Sequence, residues 1–264
     1  MLDQLKIQPN KTLGQNFLIN ESIYKKIIFA VAPEKGETVL EIGSGLGTLT
    51  EYLAQTDVSI LGIEKDHRLI VHLLNKFRSQ KNVRIIEDDI LKFKTENLKN
   101  FKVVGNIPYY ITSHLLKIIF KNWPKPKSIV LMVQKEIAQR IKAKPPKMSL
   151  LAISVQYYAE PEIISYVLSG NFYPSPSVDS AIIKLTPGDM PDSINFQKNF
   201  FQIVKAGFSG KRKQLLNNLS REMKLNKNHV QEKLLSISVE SKRRAETLTI
   251  EEWRKITNTF YSQD

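Results

Sequence analysis

The chain has 264 residues, 42% of them hydrophobic and 25% charged, which is the composition of a folded globular protein and not of a disordered one. It contains no cysteine, so disulfides, thiol catalysis and Cys-ligated zinc are excluded. Its 39 Lys and Arg against 26 Asp and Glu leave a net charge of +13, an excess that attracts polyanions, nucleic acid foremost.

Thr38 to Ile42 reads as the first clear strand and Val58 to Glu64 as the second. Asp66 to Phe77 follows as an amphipathic helix, with Leu69, Ile70, Leu73, Leu74 and Phe77 on one face. Val83 to Glu87, Lys102 to Gly105 and Ser128 to Val133 are further strands. Alternating strands and helices imply parallel strands joined by crossover helices, an α/β fold. Glu162 to Leu168 and Ser180 to Leu185 lie close together and fit a hairpin at one sheet edge. Thr186-Pro187-Gly188-Asp189-Met190-Pro191-Asp192 has the composition of a linker. Beyond it the pattern is helical: Lys211 to Met223 carries Leu215, Leu216, Leu219 and Met223 at helical spacing. Thr249 and Glu252 form a capping box, with Leu248 and Trp253 placed as a hydrophobic staple. Two domains are expected: an α/β domain over residues 1–186 and a small all-helical domain over 187–264.

The strongest local signal is Glu41-Ile42-Gly43-Ser44-Gly45-Leu46-Gly47, directly after the first strand. Glycines at alternate positions allow a tight turn and close approach of a ligand. The spacing is G-x-G-x-G, not the G-x-G-x-x-G of pyrophosphate sites, and suits a ligand without a pyrophosphate. Glu64 ends the second strand 21 residues after Gly43, where an acidic residue accepts ribose hydroxyls in nucleoside-binding sheets. Asp89 follows the third strand, with Asp88 beside it as a competing carboxylate. Strand ends of this kind gather at the carboxyl edge of an open sheet, where ligands bind.

The fourth strand runs into Asn106-Ile107-Pro108-Tyr109, an N-x-P-Y motif. It resembles the catalytic motif of adenine N6-methyltransferases that use S-adenosyl-L-methionine. An exocyclic amine conjugated to a purine is a poor nucleophile. An Asn oxygen and a backbone carbonyl can accept its N–H bonds, proline helps aim that carbonyl, and an aromatic ring stacks on the extruded base. The ring of Tyr109, not its hydroxyl, is the group this scheme needs.

Further segments are similar to one family, the ribosomal RNA adenine dimethyltransferases. They are Lys11-Thr12-Leu13-Gly14-Gln15-Asn16-Phe17-Leu18, Phe172-Tyr173-Pro174-Ser175-Pro176-Ser177-Val178-Asp179-Ser180-Ala181, Phe208-Ser209-Gly210-Lys211-Arg212-Lys213 and Arg244-Ala245-Glu246-Thr247-Leu248. Tyr110 and the pair Asp179-Ser180 resemble the small-subunit branch more than the branch acting on large-subunit RNA. One loop departs from the pattern: Lys144-Pro145-Pro146-Lys147-Met148-Ser149 replaces a Gly-rich segment.

The resemblance implies a Rossmann-like class I methyltransferase sheet followed by the helical domain. It implies contacts to S-adenosyl-L-methionine from Asn16, Leu18, Gly43, Glu64, Asp89 and Asn106. It implies a catalytic group of Asn106, Pro108 and Tyr109, with Phe172 either flanking the base opposite Tyr109 or filling the core. The implied substrate is two adjacent adenines near the 3′ end of 16S rRNA, each methylated twice on the assembling 30S subunit. Lys205, Lys211, Arg212 and Lys213 around one helix start, and Lys242, Arg243 and Arg244, are the candidate RNA contacts. Cations at a helix start oppose its dipole, which points to an external anion.

A DNA adenine methyltransferase and a non-catalytic assembly factor are the competing readings; the intact N-x-P-Y motif argues against the second. The histidines His67, His72, His114 and His229 form no ligand cluster, so no metal is expected. No apolar run approaches the ~18 residues of a membrane span. Met1 to Lys6 lacks the basic-then-apolar signal pattern. A cytoplasmic monomer is the expectation.

Overall fold

A computed structural model describes residues 8–189 and 192–261. Met1 to Lys6 and the linker residues Met190 and Pro191 lie outside the described residues. Contacts divide the chain into two compact units, residues 1–139 with 160–187, and residues 140–159 with 188–264.

In the first unit the chain runs β1 (Phe17–Leu18), α1 (Glu21–Val31), β2 (Thr38–Ile42), α2 (Thr48–Ala54), β3 (Ser59–Glu64) and α3 (His67–Lys76). It continues through β4 (Val83–Glu87), β5 (Phe101–Asn106), α4 (Thr112–Asn122), β6 (Ile129–Gln134) and α5 (Lys135–Ile141). β7 (Ala159–Val167), β8 (Phe172–Tyr173) and β9 (Ser180–Pro187) complete it. Seven strands form one sheet in the order β4-β3-β2-β5-β6-β9-β7. β4 through β6 are mutually parallel, and β9 runs antiparallel to β6. The central strands are near-continuous apolar runs because helices cover both faces of a parallel sheet. Ile27 and Val31 of α1 and Leu53 of α2 pack on Val39, Ile60, Val104 and Met132 from the strands. α3 buries Leu69, Ile70 and Leu73, but Leu74, expected on the same face, stays half exposed.

The chain builds outward from β2 to β4 and then returns to β2's other side with β5. Such a reversal leaves a crevice at the carboxyl ends of the two strands flanking it. The late strands β7 and β9 are edge neighbours as expected, each longer than its apolar pattern indicates.

The second unit holds α6 (Leu150–Gln156), α7 (Ile194–Gly207), α8 (Leu215–Met223), α9 (Lys227–Ser236) and α10 (Ile250–Tyr261). A break near residue 187 is present, but the unit also takes in residues 140–159, which the linear division left with the sheet. The cause is aromatic packing. Tyr157 lies 4.3 Å from Phe200 and Tyr158 stacks on Phe201 at 5.7 Å, while the Tyr157 hydroxyl donates to Asp192. Trp253 is fully buried beside Phe208, and a side chain at Gly207 would overlap its ring. The capping box forms reciprocally: Thr249 N–H donates to Glu252 at 2.8 Å and Glu252 N–H to the Thr249 hydroxyl at 3.1 Å. No helix among the described residues is long and apolar enough to cross a membrane.

Candidate active site and nucleic-acid interface

Asn16, Leu18, Gly43, Glu64, Asp89 and Asn106 all line one cleft in the first unit, with Pro108 and Tyr109 at its side. Its empty space, counted to the open mouth, is about 1300 Å³. The glycine loop forms its floor. Gly43, Gly45 and Gly47 have φ of 72°, 57° and 75°, left-handed values that a side chain resists. A Cβ on Gly47 would stand 2.7 Å from Phe77, whereas one on Gly43 would meet only the Asn106 carbonyl, at 3.9 Å. Gly43 therefore leaves open floor that a ligand can occupy.

Glu64 ends β3 and is 7% exposed. One carboxylate oxygen accepts from Gly45 N–H at 2.9 Å, and the other from Lys65 and Asp66 N–H at 2.8 and 2.9 Å. Burial nonetheless raises its pKa against these three donors. Three of its roughly four lone-pair sites are thus filled, and the oxygen bonded to Gly45 keeps one for a further donor such as a ribose hydroxyl. Asp89 accepts Leu91 N–H at 3.0 Å on one oxygen and the Lys65 ammonium at 2.8 Å on the other. Burial acts to raise its pKa, but these bonds outweigh it and the carboxyl is held below its ordinary value. Asp88 lines the cleft too, but one of its oxygens is taken by Asp89 N–H at 2.6 Å.

Glu41 is the acidic residue two before Gly43 in the glycine-loop pattern. It is buried, accepts from the Thr50 and Ser44 hydroxyls at 2.6 and 3.1 Å, and burial pushes its pKa up to about 7. It braces the loop from beneath.

The N-terminal motif crosses the same crevice. The Gln15 amide donates to Asp66 at 2.9 Å, and β1 pairs antiparallel with β8, joining Leu18 to Phe172. The Leu18 side chain is buried and its carbonyl accepts the Tyr24 hydroxyl at 2.7 Å. The Asn106 amide nitrogen donates to the Asn16 carbonyl at 2.9 Å. Gln15 and Asp66 were missed as site-building residues; Gln15 sits in the quoted motif, and Asp66 shows only as a helix cap.

Pro108 adopts φ −56° and ψ 133° ahead of a 3-10 turn at Tyr109–Ile111. The Tyr109 hydroxyl lies 2.6 Å from the Ser180 hydroxyl. The hydroxyl is thus engaged, although the sequence argument needed only the ring. Phe172 resolves to the core: it is 3% exposed, packs in the main apolar cluster and is absent from the cleft lining. Pairing of β8 with β1 turns it inward and leaves Tyr173 half exposed.

The basic residues of the second unit come together through main-chain bonds. Leu215 N–H donates to the Arg243 carbonyl at 2.7 Å and Leu216 N–H to that of Ser241 at 3.2 Å. Lys211, Arg212 and Lys213 precede α8, which starts four residues later than the pattern indicated. The first two N–H groups of α8 are thus met by main-chain carbonyls. Lys205, Lys211, Arg212, Lys213, Lys242 and Arg244 are exposed. Arg243 differs: its guanidinium donates to both Glu252 oxygens and to the Thr247 carbonyl, so it is engaged as an internal brace. In the divergent loop, Met148 N–H donates to the Glu246 carbonyl at 3.0 Å.

The sequence matches the profile described as "Ribosomal RNA adenine dimethylase" over residues 7–261. The chain belongs to that family. It is 39% identical to "Ribosomal RNA small subunit methyltransferase A" of Dehalococcoides mccartyi (strain CBDB1), over 97% of this chain and 90% of that protein. Among solved structures it resembles a dimethyladenosine transferase from Plasmodium falciparum, with TM-score 0.79 and 26% identity over 91% of this chain and 95% of that one. It also resembles the 23S rRNA methyltransferase ErmE, with TM-score 0.77 and 25% identity over 92% of this chain and 99% of that one. The ribosomal RNA adenine dimethylase fold is therefore the frame in which the cleft works, and the protein is a methyltransferase.

Proposed function

We propose that the cleft binds S-adenosyl-L-methionine and that the enzyme dimethylates N6 of two adjacent adenines near the 3′ end of 16S rRNA in the assembling 30S subunit. The observation that carries this is the meeting of Gly43, Glu64, Asp89 and Asn106 in one cleft at the carboxyl edge of the sheet. The name of the Dehalococcoides relative supports the small subunit as target.

The open floor at Gly43 suits the methionine end, Glu64 takes the ribose hydroxyls and Asp89 accepts the adenine amine. When bound, the cofactor supplies an electrophilic methyl on a sulfonium. Asn106 then decides the nucleophile. Its amide nitrogen faces the Asn16 carbonyl, so its oxygen is the atom left to accept an N–H from the target amine. Drawing on that N–H favours a pyramidal nitrogen with an available lone pair. Tyr109 stacks on the extruded base and Pro108 fixes the turn between them. Lys205, Lys211, Arg212, Lys213, Lys242 and Arg244 hold RNA phosphates in the second unit. No group of three His, Cys, Asp or Glu among the described residues is placed to hold a metal. The protein acts as a cytoplasmic monomer.

The test is transfer of labelled methyl to immature 30S particles, with duplex DNA as the competing substrate, and mass mapping of the modified adenines. Labelling of DNA, or of other RNA positions, would overturn the assignment.

A further inference from the structure

Ser180 enters none of the roles above, yet it is fully buried and its hydroxyl meets that of Tyr109. Tyr109 follows β5, while Ser180 opens β9, two strands away across the end of β6. The tyrosine therefore reaches over β6 to find its partner. Ser180 is itself fixed. It pairs in register with Gln134, and next to it the Asp179 carbonyl accepts Lys135 N–H at 2.9 Å. The Asp179 carboxylate accepts Ser169 N–H at 3.1 Å, pinning the preceding loop to the same point. Ser180 thus presents its hydroxyl from a strand with little freedom to move.

A phenol held only at its backbone can swing about two side-chain torsions. Held also at its hydroxyl, it keeps one plane. Stacking requires that plane to be set before the base arrives, since ordering it during binding costs affinity and alignment.

We propose that Ser180 is a positioning residue: its hydroxyl anchors Tyr109 so that the ring stands as a preset platform for the target adenine. This rests on the reading of Tyr109 as the stacking residue. Breaking one hydrogen bond of this kind is worth about threefold to tenfold in rate.

The experiment compares Tyr109→Phe, Ser180→Ala, Ser180→Thr and the double variant Tyr109→Phe/Ser180→Ala on 30S particles with saturating labelled cofactor. The first methyl transfer is measured, with cofactor affinity by calorimetry alongside. Tyr109→Phe and Ser180→Ala should each lower kcat about threefold to tenfold and leave cofactor affinity unchanged. The double variant should be no slower than either single one, because both remove the same bond. Ser180→Thr, which keeps the hydroxyl, should restore most of the rate. Wild-type kcat for Tyr109→Phe, or losses that multiply in the double variant, would overturn the proposal. Should Ser180→Ala not fold, Tyr109→Phe and Ser180→Thr carry the test. Tyr109→Ala separates the two levels of inference: if it too is fully active, the stacking reading fails, and if it alone is inactive, only the role of Ser180 fails.

Discussion

The amide nitrogen of Asn106 donates to the main-chain carbonyl of Asn16 at 2.9 Å, which fixes which end of the amide faces the cleft. A carbonyl cannot accept from another carbonyl, so the alternative flip would set two acceptors against each other. Asn106→Ala removes an acceptor aimed at charge that develops only during reaction. Its kcat should fall by about 10²–10³-fold, with much smaller change in RNA affinity. Single-turnover rates and filter binding measure the two separately; an equal loss in both would mean that Asn106 only helps to hold substrate.

Glu64 has two tasks, and its replacement should reveal both. Charge-assisted bonds to ribose hydroxyls contribute about 1.5–3 kcal/mol, so Glu64→Ala should weaken S-adenosylmethionine by roughly tenfold to a hundredfold. It also frees the N–H groups of Gly45, Lys65 and Asp66, so the melting temperature should drop without any ligand. Unchanged affinity by calorimetric titration would remove Glu64 from the cofactor site.

Two buried glutamates give stability opposite pH dependences. Burial raises Glu41 from 4.5 to about 7, with Glu64 nearby adding to the rise and Lys76 opposing it. The folded state then holds a proton that the unfolded state has lost, and stability falls as pH rises from about 4.5 to 7. Burial acts to raise Glu37 too, but hydrogen bonds from Lys102, Lys127 and the Glu34 N–H hold it at about 2. Its contribution is present above about 4.5 and is lost as pH falls toward 2. The melting temperature should therefore peak near pH 5. Glu41→Gln, which can still accept from Ser44 and Thr50, should gain about 3 kcal/mol over the parent at pH 8 and almost nothing at pH 4. Parallel melting curves for the two proteins from pH 4 to 8 would exclude this account of Glu41.

Replacing Lys211, Arg212 and Lys213 together by Gln should flatten the slope of log affinity for 30S particles against log salt by about two units. Cofactor affinity should stay unchanged. An unaltered slope would mean that these cations only face solvent.

Arg243 should behave unlike its neighbours. Arg243→Gln strips two charge-assisted bonds from Glu252 at the start of α10, at a cost of about 1–3 kcal/mol in stability. Lys242→Gln and Arg244→Gln should leave thermal stability near the parent's. Melting of the three single variants distinguishes the brace from the surface; equal melting temperatures would refute the distinction.

Much of the sheet was legible because parallel strands buried on both faces leave continuous apolar runs, as in Val39-Leu40 and Val103-Val104. The glycine loop was legible because positive φ at Gly43, Gly45 and Gly47 restricts the residue type. What stayed hidden depends on partners distant in the chain. Nothing local separates Arg243 from Lys242 and Arg244; only the place of Glu252 does. Phe172 was open between base and core, and the pairing of β8 with β1 decides it for the core. The helical segment around Tyr157 reads as part of the sheet domain until Phe200 and Phe201 are seen against it.

The bonds that shape the cleft close very long loops: Gln15 to Asp66 spans 51 residues, Tyr109 to Ser180 spans 71 and Asn16 to Asn106 spans 90. Each closure must be bought with chain entropy before it returns anything. A nascent chain still short of residue 180 has its N-x-P-Y motif written in full but no anchor for Tyr109. A growing polypeptide therefore lacks the anchor of Tyr109 until residue 180, about two thirds of the 264 residues, has been synthesised.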